Sequence, residues 1–197
     1  MTISYTNRKG QTYTLYQGRT KTGKPRYYFA REGHGQGEPV TAVPPGYTIS
    51  ESVNGVVSLV KDRPPLIQPE EVKAVEIAVQ QHPEARRYRV AAKHDRIEVY
   101  ENASPDFNEL FGKLQPLLAL SSMDKAALQA KEERFARYAP VLRFILLDPA
   151  SRLFGAERMC CLGNIDGWLR LGKAGSVVAL AQVLIPTLGT EEFYDLW

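Results

Sequence analysis

The first 31 residues carry seven cations (Arg8, Lys9, Arg19, Lys21, Lys24, Arg26 and Arg31) and no acidic residue. Tyr5, Tyr13, Tyr16, Tyr27, Tyr28 and Phe29 lie between them. Cations meet phosphates and aromatic rings stack on unpaired bases, so the segment holds both ingredients of nucleic-acid binding. Arg19, Lys21, Lys24 and Arg26 are the candidate phosphate contacts, and Tyr16, Tyr27 and Tyr28 the candidate stacking or shape contacts. A two-stranded ribbon with such a tip also suits a major groove. The whole chain has a formal charge of +3, so a segment at +7 leaves −4 on the remainder. A basic end on a mildly acidic body fits DNA, RNA or an acidic protein as partner. The competing reading makes Tyr13, Leu15, Tyr27 and Phe29 the inner face of a small sheet whose Lys and Arg residues solubilise the outside and guard its edges.

Other chemistry is thinly represented. His34, His82 and His94 fall in or beside expected loops and helix ends, and no pair has the spacing of a zinc helix. His82 is placed at a helix C-terminus, where it meets the dipole, and His94 at an exposed hairpin tip. Cys160 and Cys161 are neighbours on an expected core strand, which reads as buried and inert rather than nucleophilic. No metal or cofactor is implied. Nucleophile-elbow, P-loop and dinucleotide motifs are missing, and the glycine run Gly33-His34-Gly35-Gln36-Gly37 opens no helix, so it reads as flexible loop. Asp95, Glu98, Glu101, Asp148, Glu157 and Asp166 show no spacing that ties them to a metal-dependent nuclease. Glu157-Arg158, with Arg143 and Arg152 in the same hairpin, reads as a structural ion-pair network, and as the centre of any enzyme site if one exists.

The elements around these residues point to an α+β fold. Gln11–Gln17 and Arg26–Arg31 have strand character and flank the polar loop Gly18–Pro25, which makes a hairpin with a basic tip. Across Tyr16, Gly18-Arg19, Thr22-Gly23-Lys24-Pro25-Arg26 and Tyr27-Tyr28, about a dozen residues, the arrangement resembles the basic β-sheets at the front of phage-type integrases, an analogy of fold that carries no functional residue. The stretch from Gly33 to Gly46 reads as a mobile loop. Tyr47–Ser50 and Val56–Lys61 enclose Asn54-Gly55, a strong hairpin signal.

Three prolines between Arg63 and Pro69 mark an extended connector. The expected organisation is therefore a basic β-module over 1–62, a linker over 63–68 and an α+β domain over 69–197. In that domain a helix runs from Pro69 to about His82, with Val72, Val75 and Val79 on one face. Arg86–Lys93 and Arg96–Glu101 form a hairpin. Asp106–Leu120 is a weaker helical stretch, and Ser121-Ser122-Met123-Asp124 opens another helix that ends before Pro140. Val141–Leu147 and Arg152–Leu162 pair through the turn Asp148–Ser151, and Asn164–Trp168 is a turn followed by a packing aromatic. Ser176 caps a last full helix with Val177, Leu180, Ala181 and Leu184 inward, and a short helical turn finishes the chain.

No apolar run is long enough to span a bilayer and no secretory leader precedes the first strand, so the expected location is a reducing cytoplasm with no membrane partner. The leading expectation is a non-enzymatic nucleic-acid-binding or nucleoprotein-associated protein. The alternatives are a protein-interaction or scaffold role through Phe193, Tyr194 and Trp197, and an enzyme centred on the 141–162 hairpin. Oligomeric state is not legible.

Overall fold

A computed structural model describes residues 1–104, 135–162 and 165–195, with the side chains of 161, 162, 165 and 166 excepted. The expected helices over 106–120 and from Ser121 onward fall almost wholly outside these residues. The fold is mixed α+β, with antiparallel sheets and few helices. Residues 1–63 form one compact unit; residues 64–104 with 137–195 form another. Among the described residues no helix is long and apolar enough to cross a membrane.

In the first unit β1 (Ser4–Thr6), β2 (Thr12–Arg19) and β3 (Pro25–Arg31) make an antiparallel sheet, and the two-residue β4 (Glu38–Pro39) pairs with β2 beyond β1. A separate hairpin joins β5 (Tyr47–Glu51) to β6 (Val57–Lys61). The period of two places Tyr13, Leu15, Tyr27 and Phe29 on one face of the β2–β3 ribbon, and Leu15 is fully buried there. Asn7, 3% exposed, ties the β1–β2 turn to the second hairpin. Its Nδ2 donates to the Gly55 carbonyl at 2.7 Å, and its Oδ1 accepts from the Lys9 and Gln11 amides at 3.0 and 2.9 Å. Asn7→Ala strands all three backbone groups, and a loss of about 2–3 kcal/mol is expected in chemical denaturation of the first unit.

The second unit is built on a five-stranded meander, in the order β11 (Ile165–Gly175), β10 (Leu153–Leu162), β9 (Tyr138–Asp148), β8 (Arg96–Asn102) and β7 (Tyr88–Ala92). One face carries Ile97, Val99, Leu142, Phe144, Leu146, Phe154 and Ala156 into the core, where α1 (Pro69–Gln80) and α2 (Val177–Leu184) cover them with Val75, Val79, Val177, Leu180 and Leu184. Pro69 opens α1, and the Gln68 amide donates to Glu71 Oε2 at 2.8 Å. Ser176 Oγ accepts from the Ala179 amide and starts α2. A 3-10 turn (Ile185–Thr187) and α3 (Glu191–Asp195) follow, and Phe193 is buried at 2% exposure. Phe193 thus packs inward, Tyr194 stays exposed, and Trp197 lies outside the described residues.

Several local expectations need correction. Residues 165–175 form a strand rather than a turn, because the ladder to β10 outweighs the weak strand preference of three glycines. Pro140 lies inside β9, opposite Tyr100 at a register shift, a bulge position where a missing N–H is tolerated. The Gly33–Gly46 stretch contains β4. Residues 64–68 lie against the second unit: Ile67 is buried and the Leu66 amide donates to the His94 carbonyl at 2.8 Å. His82 follows the C-terminus of α1, as expected, and is in addition a buried link. Its Nδ1 accepts from the Glu84 amide at 3.1 Å, and Nε2–H donates to the Leu188 carbonyl at 3.2 Å. His94, expected at an exposed tip, is half-buried.

The sheet face away from the helices carries a row of alternating charge, set by register: Arg170 opposite Glu157, Glu157 opposite Arg143, and Arg143 opposite Glu98. Arg143 also lies over the Trp168 ring, 4.1 Å from its centroid. Burial favours the neutral form of Glu98, but hydrogen bonds from Tyr100 Oη at 2.5 Å and Arg96 Nε at 2.7 Å outweigh it and hold the carboxyl below its ordinary value. A carboxylate with a depressed folded-state pKa adds stability above the usual glutamate value of about 4.3, and loses it as pH falls through the lower folded value. Urea midpoints measured from pH 6 downward are expected to fall less steeply with acid in Glu98→Gln than in the parent protein.

Candidate nucleic-acid interface

The β2–β3 hairpin projects its connection, Thr20–Lys24, into solvent. The Gly23 amide donates to the Thr20 carbonyl at 2.9 Å, and the Thr20 amide to the Lys24 carbonyl at 2.8 Å. Gly23 has φ +78°, which closes the turn in the left-handed region. Arg19, Lys21, Lys24 and Arg26 are all exposed, and none of them forms an ion pair among the described residues.

Cross-strand register distributes the aromatic residues. Tyr16 faces Tyr28, and their rings stack with centroids 6.0 Å apart and planes at 24°. Arg26 shares this face and lies over the Tyr28 ring, 5.9 Å from its centroid. Tyr27, opposite Gln17, is on the other face with Leu15 and Phe29. The structure therefore brings Tyr16, Tyr28 and Arg26 together with Arg19 at the strand end. Lys21 and Lys24 sit at the tip, and Tyr27 points away.

The glycine run is what sequence reasoning left unused. After β3 the chain crosses the Tyr16–Tyr28 face to reach β4 on the far edge of β2. Gly35 lies so close to the Tyr16 ring that a Cβ would collide with it, and a Cβ on Gly37 (φ +148°) would collide with the Gln17 carbonyl. Tyr28 Oη donates to the Gln36 carbonyl. Residues without side chains are needed for this approach, and that is the signal a run of three glycines in five residues offered. The crossing leaves an open recess of about 380 Å³ lined by Gly18, Arg19, Arg26, Tyr28, His34 and Gln36. His34 Nδ1–H donates to the Glu32 carbonyl at 3.1 Å.

The remaining candidates are dispersed. Asp95 and Glu98 pair with Arg96, Glu101 with Arg87, and Glu157 with Arg143 and Arg170, while Asp148 accepts from Ser151 Oγ and is held below its ordinary value by that bond. The Asp166 side chain is outside the description. Glu157 and Arg158 point to opposite faces of β10. Arg158, 3% exposed, donates to the Tyr194 carbonyl at 2.8 Å, and Arg152 pairs with Glu71, so neither joins the Glu157–Arg143 pair. Cys160 is buried on the core face. Among the described residues no three His, Cys, Asp or Glu side chains converge to hold a metal ion. Comparisons with family models, curated proteins and solved structures found no match for this chain.

Proposed function

We propose that the protein binds nucleic acid, alone or within a nucleoprotein assembly, through the tip of the β2–β3 hairpin. The observation that carries this reading is the concentration of four exposed cations, without carboxylate partners among the described residues, around a stacked tyrosine pair. Several arginines elsewhere meet acids: Arg8 pairs with Glu51, Arg87 with Glu101, Arg96 with Glu98, Arg143 with Glu157 and Arg152 with Glu71. An uncompensated cationic tip attracts a polyanion, and phosphates supply that charge at a spacing a hairpin can follow. Arg19, Lys21, Lys24 and Arg26 contact the backbone, and Tyr28, backed by Tyr16, meets a base.

The test is fluorescence anisotropy with short single- and double-stranded DNA and RNA, titrated at several salt concentrations. Four phosphate contacts on a single strand give a slope of log affinity against log salt of about −3. A slope near zero, or no binding at low salt, would overturn the reading.

A further inference from the structure

Resting on that reading, we infer that the recess beside Tyr28 receives one unpaired base, so that the hairpin selects single-stranded over duplex nucleic acid. A ribbon that reads a major groove must present one of its faces to the base edges. Below its exposed tip, neither face of this hairpin is free. One packs inward through Leu15 and Phe29, with β6 against β3. The other is crossed by the Gly33–Gly37 segment, which touches Tyr16 and Gln17 and accepts the Tyr28 hydroxyl. What remains open is concave: a recess with an aromatic wall, Tyr28, and a guanidinium rim, Arg19 and Arg26. Its volume of about 380 Å³ lies at the small end of ligand sites and suits one nucleotide rather than a helix. A splayed base can enter and stack on the ring while its flanking phosphates meet the arginines. A base held in a duplex cannot reach the wall without leaving its stack. His34 and Gln36 lie where they border the edge of an inserted base.

The experiment compares oligothymidylate with a duplex of the same length, using the parent protein, Gly35→Val and Tyr28→Leu. Gly35 has no positive φ, so valine there acts by displacing the crossing segment from Tyr16 without disturbing the four cations. Expected is tighter binding of the single strand by about tenfold, a preference that both variants lose, while Gly35→Val keeps the duplex affinity and salt slope of the parent protein. Oligothymidylate carrying 5-iodouracil is expected to photocross-link, in the unaltered protein, to the peptide containing Tyr28. Equal affinity for both forms, with cross-links confined to other segments, would overturn the inference while leaving the charge-based reading intact. Absence of binding to every probe would overturn both.

Discussion

Replacing Arg19, Lys21, Lys24 and Arg26 together by glutamate is expected to abolish measurable oligonucleotide binding at low salt and to leave the thermal midpoint where it was. The substitution takes residues 1–31 from +7 to −1. Each lost phosphate contact removes a counterion-release contribution, and each new carboxylate repels the polyanion, so the affinity falls by about a thousandfold or more. Folding is insulated from the change. The four side chains are exposed and make no ion pair among the described residues, and the turn is closed by backbone hydrogen bonds from Thr20 and Gly23. Solvated surface substitutions of this kind change stability little. Anisotropy and a melting scan on the same preparation check both halves. Binding that survives the reversal would place the nucleic-acid contact elsewhere.

Glu157→Ala is expected to destabilise the second unit by about 3 kcal/mol, which lowers its melting midpoint by roughly 15 °C. The Glu157 side chain is 11% exposed, and that of Arg143, paired with it through Nη2 at 2.5 Å, is 20% exposed. Removing the carboxylate leaves a largely desolvated guanidinium pinned over Trp168, with Glu98, already committed to Arg96 and Tyr100, as its remaining acidic cross-strand neighbour. Replacing both partners with leucine is expected to recover much of the loss, because an apolar pair of similar bulk carries no desolvation cost. Calorimetry on the two variants measures the difference. Equal destabilisation by the single and double changes would mean that packing, rather than charge, dominates at this site.

Patterns of period two or 3.6 were readable along the chain: the β2–β3 and β7–β8 hairpins, α1 with Val75 and Val79 inward, and α2 capped by Ser176. These elements are specified by local spacing and by residues that act on their own neighbours. What escaped was non-local. β11 holds glycines that weaken any local strand signal, and it exists because β10 offers it a ladder. The inward turn of His82 depends on Leu188, more than a hundred positions away. The alternation already grouped Tyr13, Leu15, Tyr27 and Phe29 on one face of the hairpin, but the stacking of Tyr16 on Tyr28 needed the cross-strand register. The recess was invisible for the same reason: its wall and rim come from two strands, and its cover from a segment that reads as an unstructured glycine run.

The charged row across the second sheet bears on how that sheet finds its alignment. Apolar alternation forbids a slip of one residue, which would drive Glu157 inward, but it is blind to a slip of two. Moving β10 by two positions along β9 keeps every oily side chain on the helical side. It also sets Arg143 against Gly155 or Met159, and Glu157 against Ile145 or Val141. Each such misalignment strands opposite charges beside partners that cannot answer them. The row therefore works like the teeth of a ratchet, distinguishing the one correct meshing of neighbouring strands from shifted versions that the oil–water pattern alone would accept.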